Sequence, residues 1–168
     1  MGMIGIVPIT KTELTDIQQV MITLVNSFPE LPSQVQKDGI LFEQLKPKKV
    51  CMCMSTMANP YKITTYIDGS YISRYRFRLI LQTMDIKDED RIDSQGILSK
   101  IGEWFEGRTI VKSDGTSYEM GSYPTMQDRR RITKMYKNSV PKLVQRLPSN
   151  IELTEAIYTV EYYVQTDF

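Results

Sequence analysis

Residues 64–83 read TTYIDGSYISRYRFRLILQT, and this stretch decides the fold. Side chains on an extended strand alternate between its two faces. In the run Tyr71–Thr83, Tyr71, Tyr75, Phe77, Leu79 and Leu81 therefore share one apolar face, interrupted by Ser73. Arg74, Arg76 and Arg78 share the other, about 6.6–6.8 Å apart along the strand. One face belongs to a core and the other presents a short arginine ladder. Ahead of this strand, Asp68-Gly69 is a two-residue hairpin signal joining it to the β-branched and aromatic run Tyr61–Ile67. A third apolar run, Val50–Met57, is bounded by Asn59-Pro60, so a meander or hairpin of antiparallel strands is expected.

Working outward, Leu14, Ile17, Met21, Leu24 and Phe28 recur at spacings of three and four, one stripe of a helix over Thr12–Phe28. Thr10 and Glu13 form a capping-box pattern at its start, and Pro29 stops it. Residues 29–47 read as loop with a short strand at Ile40–Phe42. A second helix is expected over Ser94–Glu106, capped by Asp93 or Ser94 and ended by Gly107. The region 107–139 reads as an inserted segment, with a turn at Asp114-Gly115 and a helix over Tyr123–Ser139. The chain closes with Lys142–Leu147, a turn at Pro148-Ser149-Asn150 and a strand near Ala156–Gln165. This order predicts one α+β domain spanning residues 1–168, a mostly antiparallel sheet with two to three helices packed on one face. No internal repeat is visible.

Composition excludes more than it includes. The 168 residues are 41% hydrophobic and 24% charged, the mix of a globular chain, with a net charge of +1. There is no histidine, which removes His-dependent nucleophile systems and His-ligated zinc or iron sites. Neither a dinucleotide-binding nor a Walker-type glycine motif occurs. Cys51 and Cys53 form a C-x-C with no other Cys and no His in the chain and read as buried free thiols, with Met52, Met54 and Met57 beside them as gap-fillers rather than a copper site. The acidic run from Asp85 to Asp93 fails as a calcium loop: counting from Asp88, Asp93 stands where glycine is needed and Ser99 where the closing glutamate is needed. A non-enzyme without cofactor or metal is expected. No apolar run reaches the ~18 residues of a membrane span, and the first residues lack a signal-peptide pattern, so a cytosolic origin without membrane contact is expected.

The charge is unevenly spread. Between Gln127 and Arg146 stand Arg129, Arg130, Arg131, Lys134, Lys137, Lys142 and Arg146 against Asp128 alone. Such a concentration suits nucleic acid or an acidic protein surface, although Tyr136 is the one ring within it. The rest of the chain is acidic, and opposite-signed patches favour head-to-tail contact that closes into rings.

The hairpin block followed by SQGILSKIGEWFEG resembles the small minor capsid or tail-terminator-like (tail completion) proteins of phages and phage-like particles from Gram-positive bacteria. The matching positions are Tyr66, Ile67, Asp68, Gly69, Ser70, Tyr75, Phe77, Trp104 and Phe105, with IYTVEYYVQ as the closing strand. The resemblance covers residues 12–106 and 140–166. It implies a structural protein that forms a ring, commonly a hexamer, at the head-proximal end of a tail tube. There it would stop tube polymerisation and offer a surface to a connector or sheath protein, with DNA near the lumen, after assembly in the bacterial cytoplasm. Contact residues expected on this reading are Asp68 and Gly69 at the turn, Arg74, Arg76 and Arg78, and Arg129, Arg130, Arg131, Lys134 and Lys137. The alternative is a small nucleic-acid-binding accessory protein using the cluster 129–146.

Overall fold

A computed structural model describes residues 11–85 and 88–166. In chain order it contains α1 (Glu13–Asn26), α2 (Ser33–Asp38), β1 (Leu41–Phe42), β2 (Cys51–Thr56), β3 (Tyr61–Thr65), β4 (Tyr71–Met84) and α3 (Asp88–Phe105). It continues with β5 (Ile110–Val111), β6 (Ser117–Tyr118), β7 (Arg130–Lys137), β8 (Lys142–Leu147) and β9 (Ile151–Val164). The chain is a single α+β domain with a mostly antiparallel sheet and three helices.

Two long strands form the spine. β4 and β9 pair antiparallel over their full length, from Tyr71↔Val164 to Met84↔Ile151. β2 and β3 both lie along the outer side of β4, at Phe77–Gln82 and Tyr71–Arg74. β7 and β8 lie the same way along β9. Of the expected meander or hairpin, the hairpin forms between β3 and β4, while a continuous meander does not: β2 and β3 both pair with β4 and not with each other. They are two pieces of one broken strand, because Pro60 has no N–H to continue a ladder. Pro141 stands at the equivalent break between β7 and β8. The element order helix, broken strand, long strand therefore occurs twice, a repeat that the sequence does not display.

Alternation on β4 is as the sequence requires. Ser73, Tyr75, Phe77, Leu79 and Leu81 are buried on the helix-covered face. From β9, Ala156, Tyr158, Val160 and Tyr162 join them. Phe77 stacks on Tyr75 and Tyr158 at 5.7 and 5.6 Å, and Phe105 meets Tyr158 edge-on at 5.2 Å. Ile17, Met21, Leu24 and Phe28 of the first stripe and Leu98, Ile101, Trp104 and Phe105 of α3 complete this core. Each buried large side chain contributes about 1.5–3 kcal/mol, so the aromatic layer fixes both long helices to the sheet.

Several expectations are corrected. Thr12 is the N-cap of α1, its hydroxyl accepting from Thr15 N at 3.2 Å; Thr10 lies outside the described residues. α3 starts at Asp88, so Asp93 and Ser94 are internal to it, while Gly107 ends it at φ 82°. The 29–47 loop holds α2. The last strand begins at Ile151, before the expected Ala156. The hairpin loop has three residues, not two: Gly69 N donates to Tyr66 O, Tyr66 N to Ser70 O, and Gly69 takes φ 86°.

The largest correction concerns Tyr123–Ser139. It is not helical; β7 occupies Arg130–Lys137. The register shifts between Ile132 and Lys134, leaving Thr133 as a bulge. Ile132 and Met135 are thereby both buried although three residues apart, a spacing that imitates a helix. The inserted segment shrinks to the stretch between α3 and β7, which contains the small β5–β6 hairpin.

Candidate functional site

All three described helices contribute to the core on one side of the sheet, and among the described residues no helix packs on the opposite side. Register fixes what stands there. The even residues of β4 pair with the odd residues of β9: Arg74↔Glu161, Arg76↔Thr159, Arg78↔Ile157 and Ile80↔Glu155. From β7, Lys134 is opposite Glu161 and Tyr136 opposite Thr159, while Arg131 is opposite Tyr163. From β8, Lys142 is opposite Glu155. From β3, Tyr61 is opposite Arg74. One face thus carries six cations, the carboxylates of Glu155 and Glu161 and several tyrosines, and Glu43 reaches it by accepting from Ser55 Oγ at 3.0 Å, opposite Arg78.

These side chains hold one another in place. Arg74 Nη2 lies 3.0 Å from Glu161 Oε2, which also accepts from Tyr136 OH at 2.9 Å. Contact with the Tyr61 side chain, then with Glu161, raises the Arg74 pKa. Burial and the adjacent Glu161 push the Tyr136 phenol upward. Arg78 Nη1 stands 3.6 Å from Glu155. Arg131 lies over the Tyr163 ring at 4.9 Å and Lys134 over Tyr136 at 5.0 Å. Tyr163 also meets Tyr66 at 6.1 Å, beside the exposed hairpin tip. Arg76, in the middle of the ladder, is exposed.

One end of this face is roofed by the loop at residues 43–49. Gln82 Nε2 donates to Lys46 O at 2.6 Å and to Lys49 O at 2.8 Å. Beneath it Cys51 and Cys53 are free and buried. Burial raises both thiols, Cys53 to about 11, so they stay protonated and unreactive at neutral pH. The roof also carries exposed Lys46 and Lys48. Among the described residues no group of three or more His, Cys, Asp or Glu could hold a metal ion.

The residues singled out in the sequence divide. Arg74, Arg76, Arg78, Arg131 and Lys134 come together on the open face. Asp68 and Gly69 form its hairpin corner, and Arg129 stands at the start of β7 with φ 60°. Arg130 points the other way: its Nη1 is 3.0 Å from the buried Asp16, and its Nη2 donates to Lys11 O at 3.0 Å. It is a helix anchor, not a surface cation. Lys137 also leaves the group, its stem passing Gly102 of α3. The basic run is therefore not one surface. Tyr61 and Tyr163 escape a sequence reading, because nothing local says that a distant strand will bring them onto the face of Arg74–Arg78. The alternation of Ile157, Thr159, Glu161 and Tyr163 does carry a signal for β9, legible once its partner strand is known.

The fold and this face define an α+β sheet protein with a basic, tyrosine-bearing surface opposite its helices. No family model and no curated protein matches the chain. A solved structure aligns over 90% of this chain and 92% of its own, at 14% identity and a TM-score of 0.38. Among the described residues no helix is long and apolar enough to cross a membrane.

Proposed function

We propose that this chain is a structural subunit that caps the head-proximal end of a phage or phage-like tail tube. On this reading it assembles with copies of itself into a ring, a hexamer by resemblance, ends tube polymerisation, and offers the joining surface to a connector or sheath protein. It works in the virion or tail-like particle and performs no catalysis.

One observation carries the reading. Among the described residues β3 pairs only with β4, and β8 only with β9, so each leaves an unpaired outer edge on opposite margins of the sheet. Such edges are templates for strand pairing, and two different edges on one subunit give head-to-tail contacts that close when the rotation permits. The hairpin tip adds apolar contact area, since Ile67 is wholly exposed and Tyr66 nearly half exposed. On this reading Arg76 and Arg78, on central β4, line the ring's wall, while Arg74, opposite Tyr61 of the edge strand β3, stands next to the neighbour contact. Trp104 and Phe105 are core residues, so that part of the resemblance supports the fold and not the contact.

The test is tail length by electron microscopy in particles made without this gene. Overlong tubes that fail to join their heads are expected. Tubes of normal length, normally joined, overturn the reading.

A further inference from the structure

We infer that the open sheet face is a binding surface for single-stranded nucleic acid, with Arg76 and Lys134 making phosphate contacts and Tyr61 offering a ring for base stacking. The inference concerns the isolated chain and does not rest on the tail-terminator reading.

Charge comes first. Arg74, Arg76, Arg78, Arg131, Lys134 and Lys142 share this face with Glu155 and Glu161, and Glu43 reaches it at Ser55, six cations against three carboxylates. The whole chain carries only +1, so the excess is a property of this face. A phosphodiester strand is the partner whose charge complements it. Arrangement comes second. Glu161 and Glu155 are spent on Arg74 and Arg78 and Glu43 on Ser55 and Thr56, while Arg76 between the two paired arginines is exposed. Lys134 lies one strand beyond Glu161, and Arg131 further along β7. Cations therefore stand on β4 and on β7 and β8, to either side of β9, and a backbone lying across the sheet would pass from Arg76 over β9 to Lys134.

Rings come third. Tyr61 is 42% exposed beside Arg74, and Tyr66 is 47% exposed at the hairpin, the other end of β3. Aromatic rings among cations are what a single strand uses, since its unpaired bases can stack where those of a duplex cannot. A protein partner fits this face less well. The exposed Ile67, Val140 and Val144 lie at a hairpin tip, a strand break and an edge strand, and Met57, whose N–H donates to Arg76 O, is a single exposed apolar side chain beside a charged row.

Binding of fluorescein-labelled oligothymidylate to the purified chain, followed by anisotropy at several salt concentrations, tests this. We expect affinity to fall with salt at a logarithmic slope of about −0.7 per phosphate contact. Arg76→Glu with Lys134→Glu should weaken binding at least ~10-fold, and Tyr61→Ala roughly tenfold. Lys37→Glu with Arg108→Glu, outside the face, should leave it unchanged. Circular dichroism verifies folding, and Arg76→Ala with Lys134→Gln provides a milder pair. Absent binding at low salt, or equal loss in the control pair, overturns the inference. Equal affinity for a duplex of the same length overturns the single-strand assignment. Should the reversal change the sedimentation of the chain without any effect on oligonucleotide binding, the face is a contact between copies and the inference falls.

Discussion

The two halves of the molecule share one plan and are held to it differently. α1, β2, β3 and β4 form the first half; α3, β7, β8 and β9 form the second. In each, a helix lies over a long strand whose neighbour is broken before a proline. α3 is fixed by packing: Trp104, Phe105, Leu98 and Ile101 enter the aromatic layer, and Gly102 lets the helix approach β7 closely. A buried polar tie joins it to β9, Tyr158 OH donating to Leu98 O at 2.6 Å. α1 buries an apolar stripe too, but its first turn is fixed by two carboxylates. Glu13 accepts from Tyr71 and, at 2.7 Å, from Tyr162 OH. Asp16 holds Arg130 Nη1 and accepts from Gln127 N at 2.9 Å. Both carboxylates reach into the other half. The polar ties thus set how the halves lock together, while the aromatic layer supplies bulk adhesion.

Removing a lock should hurt most. Asp16→Ala leaves the largely enclosed Arg130 guanidinium without its buried counter-charge and should destabilise by about 3–5 kcal/mol, read as a lower denaturation midpoint in urea. If the loss is under about 1 kcal/mol, the contrast drawn between the halves fails.

Next is the packing side. A Cβ at Gly102 would stand 3.0 Å from Lys137 Cβ and 3.3 Å from the Tyr158 ring. Gly102→Val should therefore cost about 1–3 kcal/mol through overpacking, with a visible loss of near-ultraviolet circular dichroism as the aromatic layer shifts.

The Glu13 tie sharpens the comparison through pH. Burial first, then Glu13, raises Tyr71 to about 12; Tyr162 is raised for the same two reasons, and Tyr158 by burial alone. A raised phenol binds its proton more tightly in the folded state. Its contribution is therefore complete below pH ~10, where unfolded tyrosine titrates, and is lost as pH climbs through about 12. Following tyrosinate absorbance, Glu13→Gln should move Tyr71 back toward ~10 and leave Tyr158 where it is. The same substitution should destabilise by about 1–3 kcal/mol.

The smallest effect is a gain. Gly96 lies inside α3, and a Cβ added there would meet nothing within 4 Å. Gly96→Ala should stabilise by about 0.5–1 kcal/mol, seen as a higher thermal midpoint.

Much of this is readable before any coordinate. The two-residue period of β4 assigns Tyr75, Phe77, Leu79 and Leu81 to the core and Arg74, Arg76 and Arg78 to the other face. The three-and-four spacing of Ile17, Met21 and Leu24 marks the buried stripe of α1. Pattern reading fails at β7, where the Thr133 bulge places Ile132 and Met135 three apart. It fails again at the capping box, where Glu13 turns from the helix terminus to tyrosines of two distant strands. For the candidate face, the arginine ladder is legible, but its membership is not.

The sequence by itself determined the classes of element, the amphipathic faces and the absence of histidine chemistry, because periodicity and composition are local properties. Tertiary structure alone decided that Arg130 would turn inward to the buried Asp16 while Arg131 stays on the open face, that Tyr61 and Tyr163 would stand among the arginines, and that two broken strands would leave two free edges. Those outcomes depend on register between strands far apart in the chain, and register is fixed only when the whole core packs.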